Sequence, residues 1–118
     1  MKNQEIIQSL ITAFEKSDTE LILSHFTDDI KWVMVGDRTL AGKETIREFF
    51  TTNPDMEMIS STVDHMVIDD KVGVVNGEVQ CKNKAEGITH DMYYCDFYEF
   101  EKDKVKTMTS YMINKKKD

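Results

Sequence analysis

Ile7, Leu10, Ile11 and Phe14 recur three and four positions apart near the start of the chain. That spacing places them on one face of a helix and predicts an amphipathic helix over residues 3–16. Ser17, with Glu20 three residues on, matches a capping box. A second, short helix is expected there, carrying Leu21, Ile22 and Phe26. The stretch "TDDI" ends it and leads into "IKWVMV", a β-rich run up to Gly36. "GDRTLAG" reads as a loop. A third helix is expected from Lys43, with Ile46, Phe49 and Phe50 on one side. Asn53-Pro54 stops it, because the residue before a proline avoids the helical region.

From Met56 the period changes to that of strands. Four long strands are predicted over residues 57–68, 72–83, 89–101 and 105–113. Polar turns at 69–71, 83–87 and 102–104 make them a meander of hairpins. Three helices come first, with one strand among them, and four antiparallel strands follow. This is the plan of an α+β domain whose helices pack on one face of a curved sheet.

Composition narrows the choice of partner. The 118 residues suit one domain, residues 1–118. Such a length can bury a single core without a disulfide or a metal. No window approaches the roughly 18–20 apolar residues of a membrane span. "MKNQEIIQSL" lacks the apolar run and cleavage site of a secretory signal. Cys81 and Cys95 are then expected as reduced thiols in a cytoplasmic protein. The net charge is −7 and the only arginines are Arg38 and Arg47. Nucleic-acid binding needs a basic stripe, and this chain has none. The acidic balance also disfavours anionic membranes. "NKKKD" reads as a short solvated tail. A small molecule or a protein remains as the partner.

One stretch resists a purely structural reading. "YYCDFYEF", residues 93–100, is an aromatic strand with Asp96 in its middle. Aspartate disfavours strands, and a buried carboxylate is costly unless bonded, paired or protonated. Asp96 either lines a pocket, faces solvent, or bonds to a neighbouring strand. Tyr94, Asp96 and Tyr98 share a face of that strand; Met108, Ser110 and Met112 share one of the next. Turned inward, these faces would line a cavity for a mostly apolar ligand with one or two oxygens; otherwise the methionines fill the core. Asn76, Glu78 and Gln80 form a polar face that is either solvated or part of a cavity floor. Cys81 and Cys95, on successive strands, either face each other across a hairpin or, the simpler reading, are small buried residues.

Other chemistries find no pattern. His25, His65 and His90 lack metal-ligand spacing, so no metal is expected. "MVGDRTLAG" has no phosphate-loop or dinucleotide spacing, and no cofactor is expected. No serine or cysteine has a recognisable nucleophile setting.

The stretch "IIQSLITAFEKSDTELILSHFTDDIKWVMVGDRTLAGKETIREFF" resembles the opening of SnoaL-like domains of the nuclear transport factor 2-like superfamily. That superfamily also holds ketosteroid isomerases, polyketide cyclases and dehydratases. The carriers of the resemblance are the acid-led turn "KSD", then "LSHFTDDIKW", then "LAGKETIREFF" with its helix-opening glycine. "YEFEKDKVKTMTSYM" fits the family's last hairpin. The resemblance implies a cone: a strongly curved antiparallel sheet, three N-terminal helices on its concave face, and an apolar cavity at the open end. It also implies a homodimer through the outer sheet face.

The resemblance assigns roles to particular residues. Asp96 falls where ketosteroid isomerases keep a protonated aspartic acid that donates to an oxyanion, its pKa raised by an apolar site. Their phenolic donor falls at Leu10 and their carboxylate base at Met34, and neither moves a proton. His65 falls where SnoaL-like proteins often carry a histidine, a candidate general base with Asp96; the alternative is a half-buried histidine bonded to a neighbour. Trp32 matches a first-strand tryptophan that walls a pocket, though core packing explains it as well. The candidate ligand-binding set is Trp32, Met34, Tyr94, Met108, Ser110 and Met112. Two functions follow: acid–base isomerase, cyclase or dehydratase chemistry on a small hydrophobic carbonyl compound, or a non-catalytic ligand-binding domain.

Overall fold

A computed structural model describes residues 2–116; Met1 and the end of the "NKKKD" tail, Lys117 and Asp118, lie outside the described residues. The chain opens with α1 (Asn3–Glu15) and α2 (Thr19–Ser24). Ile6, Ile7, Leu10 and Ala13 of α1 are fully buried. Ile11 and Phe14 sit beside that stripe and are only partly buried. The cap of α2 is not Ser17 but Asp18, whose carboxylate accepts from the Leu21 N–H at 3.2 Å. Ser17 instead carries a positive φ of 55° in the turn after α1.

Next come β1 (Phe26–Met34) and β2 (Arg38–Ala41). Phe26 therefore starts a strand rather than ending α2, and "GDRTLAG" holds a short strand rather than a plain loop. β2 is four residues long and buries only Leu40, too little to stand out from a loop. α3 (Lys43–Thr52) follows Gly42, whose φ of 93° suits glycine in that tight entry. Ile46 anchors α3 in the core.

The rest is strand: β3 (Met56–Ser61), β4 (His65–Ile68), β5 (Val72–Asn83), β6 (Ile88–Glu101) and β7 (Lys104–Asn114). All lie in one 7-stranded sheet of order β2-β1-β7-β6-β5-β3, with β4 also pairing β5. The pairs are antiparallel except β1 with β7, which run parallel. No hairpin joins those two strands, so no turn forces them to oppose. The result is an α+β architecture in which three helices cover one face of a large, curved, mostly antiparallel sheet.

The expected strand over 57–68 is broken. Between β3 and β4 the chain bends across Gly77 of β5. A Cβ on Gly77 would lie 2.1 Å from the Thr62 carbonyl oxygen, so only glycine admits that approach. Backbone bonds from Thr62 N to Glu78 O and from Asp64 N to Asn76 O, each 2.8 Å, fix the bend. Pairing with β5 also slips between Met58 and Ser60. Such bulges bend a strand and deepen sheet curvature. The inward side chains here are Met58, Ser61, Met66 and Ile68. None of the described helices is long and apolar enough to cross a membrane.

Candidate functional site

A cavity of about 140 Å³ lies between α1, α3 and the concave face of the sheet. Its aromatic wall is built from three elements. Phe14 of α1 meets Trp32 of β1 edge-on, with ring centroids 5.7 Å apart. Phe50 of α3 lies 5.8 Å from the indole. Tyr94 and Tyr98 of β6 close the opposite side. Ile11, Met58 and Val79 supply further apolar surface.

The polar groups of the cavity form a line across three neighbouring strands. Trp32 on β1 donates its indole N–H to Ser110 Oγ on β7 at 3.0 Å. Ser110 is the direct cross-strand partner of Asp96 on β6. With its oxygen accepting from Trp32, the Ser110 hydroxyl is left to serve the carboxylate as a donor. Asp96 Oδ1 is buried and has no hydrogen-bond partner. Burial pushes the Asp96 carboxyl up from 3.8 to about 6, against the opposing pull of the Ser110 hydroxyl.

Both tyrosines hold their protons tightly. Burial, then the nearby Asp96 charge, raises Tyr94 to about 12. The same two causes lift Tyr98 well above the usual phenol value. The Tyr94 hydroxyl donates to the Thr62 carbonyl at 2.6 Å and so ties the β3–β4 bend to β6. Asp96 is thus the one group in the cavity that changes charge near neutral pH.

Of the sequence-predicted residues, Asp96, Trp32, Tyr94, Met108, Ser110 and Met112 all line the cavity. His65 and Met34 do not. The register change between Ser61 and His65 puts the histidine on the face opposite Ser61, where it is exposed and its Nδ1 lies 3.0 Å from Asn76 Oδ1. A pair of His65 with Asp96 across one ligand is therefore absent. Met34 lies nearer the β1–β2 turn, opposite Arg38. The Arg38 guanidinium sits 5.6 Å over the Phe49 ring, and Phe49 also meets Trp32, so that end of β1 is covered by α3. Asn76, Glu78 and Gln80 face away from the cavity; Gln80 bonds Asp91 and Glu78 pairs with Lys115. That ion pair also means that "NKKKD" is not wholly a free tail. Cys81 stands opposite His90 and Cys95 opposite Asn76, so the two thiols do not face each other.

Phe14, Phe50 and Ser61 also line the cavity, beyond the residues that the sequence pattern singles out for the site. Phe14 carried a usable sign, since it lies at the margin of the buried stripe of α1. Ser61 carried none, because its inward position depends on the slip in β3.

The pattern of the SnoaL-like domain matches residues 7–108, and the chain belongs to that family. Solved structures agree on the fold. An NTF2-like protein of unknown function from Cytophaga hutchinsonii is 27% identical, with a TM-score of 0.71 over 92% of this chain and 97% of that one. An NTF2-like protein of unknown function from Burkholderia pseudomallei is 17% identical, with a TM-score of 0.81 over 93% and 90%. An LEH-like epoxide hydrolase from M. tuberculosis is 10% identical, with a TM-score of 0.80 over 92% and 80%. Among proteins with curated descriptions, none matches.

Proposed function

We propose that this domain binds a small, mostly apolar molecule in the cavity between α1, α3 and the sheet, with Asp96 as its polar anchor. The observation that carries this reading is a buried carboxylate oxygen without a partner, set in an aromatic wall. Core packing alone has no use for such a group, because burying it is costly. A bound polar atom offsets that cost.

Binding without turnover is the favoured form of the reading. Isomerase, cyclase or dehydratase chemistry on a carbonyl compound ordinarily takes a proton at one atom and returns one at another. Only Asp96 is available for this, since His65 faces away and both tyrosines keep their protons. A one-carboxyl reaction is the second reading, favoured by the position of the Asp96 pKa, about 6, near working pH. It would give the Asp96 proton to a carbonyl oxygen and, as the carboxylate, take a proton from the adjacent carbon, leaving the enol and a protonated Asp96.

We also infer that two copies pair through the outer face of the sheet. Tyr93, Phe97, Tyr111 and Ile113 are exposed there, and the Phe97 and Tyr111 rings already pack together at 6.1 Å. Two free cysteines suit a reducing compartment, and the cytoplasm is the proposed location.

The test is a fragment screen read by methionine-methyl NMR. Binding in the cavity moves Met58, Met108 and Met112 together. Ligands that perturb only Tyr93 and Tyr111 on the outer face would refute the assignment. Turnover of a carbonyl substrate that Asp96→Asn abolishes without weakening binding would promote the second reading over the first.

A further inference from the structure

The cavity holds one charge and nothing to balance it. Asp96 borders it with a buried oxygen that no donor reaches. No lysine, arginine or histidine is among the described residues that line it. The arginines are engaged elsewhere, Arg38 with Asp37 and Arg47 with Glu20 and Glu44. Tyr94 and Tyr98, the other titratable residues on the walls, stay neutral. The cavity that Asp96 borders is walled by Phe14, Trp32, Phe50 and the two tyrosines.

This is the chemistry of a cation site. Ring faces attract a cation through their quadrupole, tryptophan most of all, and the attraction grows where water is excluded. A carboxylate beside such rings adds a full opposite charge. A neutral carbonyl ligand gains far less at neutral pH, because Asp96 must first take up a proton before it can donate to the oxygen. The size also fits. At about 140 Å³ the cavity is close to those of roughly 150 Å³ that admit benzene. The chain's net charge of −7 raises the local concentration of cations.

We propose that the cavity takes a small alkylammonium ion, its charge against the Asp96 carboxylate and its methyl groups against the aromatic walls. This rests on the ligand-cavity reading above and adds the charge class of the ligand.

Choline and its neutral isostere 3,3-dimethyl-1-butanol share a shape and differ in the charged nitrogen. Both are titrated into wild type and Asp96→Asn at pH 7.5, followed by the methyl resonances of Met108 and Met112. Choline is expected to bind wild type at least about tenfold tighter than the alcohol. In Asp96→Asn its affinity drops by about tenfold or more, while that of the alcohol changes by less than about twofold. At pH 5, where Asp96 is mostly protonated, choline weakens by about tenfold in wild type. If the alcohol binds wild type as tightly as choline, the charge class is wrong and the cavity reading stands. If neither ligand moves those resonances at millimolar concentration, both fall.

Discussion

Replacing Asp96 by asparagine should stabilise the protein, and the gain should grow with pH. The carboxyl rises from 3.8 in the unfolded chain to about 6 in the fold, so the folded state holds its proton more tightly. Folding is then favoured while that proton is bound and is penalised once it leaves. The penalty is absent below the unfolded value, sets in as pH rises, and is complete above the folded value. The gap between 3.8 and about 6 corresponds to about 3 kcal/mol in full. Between pH 4.5 and 7.5 it accounts for about 2 kcal/mol. Asparagine keeps the shape, carries no charge at any pH, and still presents a carbonyl oxygen toward the unpartnered site. The stability difference between Asp96→Asn and wild type should therefore widen by about 2 kcal/mol from pH 4.5 to 7.5. Urea unfolding followed by the fluorescence of Trp32, the sole tryptophan, measures it directly. A difference that stays flat across that range, or a variant less stable at pH 7.5, would show that Asp96 is solvated or paired in the fold.

Other substitutions probe the neighbouring geometry. Ser110→Ala removes the acceptor of the Trp32 indole and the hydroxyl that restrains Asp96; carboxyl NMR should then find the Asp96 pKa above the wild-type value, with stability lower by about 1–3 kcal/mol. Gly77→Ala drives a methyl into the Thr62 carbonyl and should cost more than about 2 kcal/mol by urea unfolding; a loss under about 0.5 kcal/mol would mean that the bend gives way easily. His25 is held neutral first by burial and then by Lys104, so its folded pKa lies below 6.5. Its share of stability is present at neutral pH and is lost as pH falls below 6.5; His25→Gln should flatten that acid arm of the stability curve. Phe97→Lys places a charge on the exposed outer face and should shift mass by light scattering from dimer to monomer, a monomeric wild type being the contrary result.

The long strands were legible because alternation persists over many residues. Val75, Gly77, Val79 and Cys81 face inward along β5, and the predicted ends of that strand are the observed ones. α3 was legible for a similar reason, with glycine before it and Asn53-Pro54 after it. β2 was not, since four residues with one buried side chain carry no period. Asp96 drew attention as a residue out of place, a chemical oddity that survives without coordinates. His65 was misplaced for a geometric reason. Strict alternation from Ile59 carries it to the Ser61 face, but each extra residue in a strand exchanges the two faces. Nothing in "MEMISSTVDHMVI" marks where pairing slips, because the cause sits in another strand, at Gly77.

The position of β7 bears on how the chain reaches this state. It is made after the other strands, yet it lies in the middle of the sheet, between β1 and β6. Until it arrives, the β1–β2 hairpin has no strand to join it to the rest. Met108, Ser110 and Met112 are also missing from the pocket wall until then. On the ribosome, α1, α2 and β1 must therefore wait with apolar surface uncovered while β3 to β6 emerge. Such long-range closure slows folding and exposes the nascent chain to aggregation. Cutting the chain before Lys104 should therefore leave two fragments of sheet rather than a smaller domain.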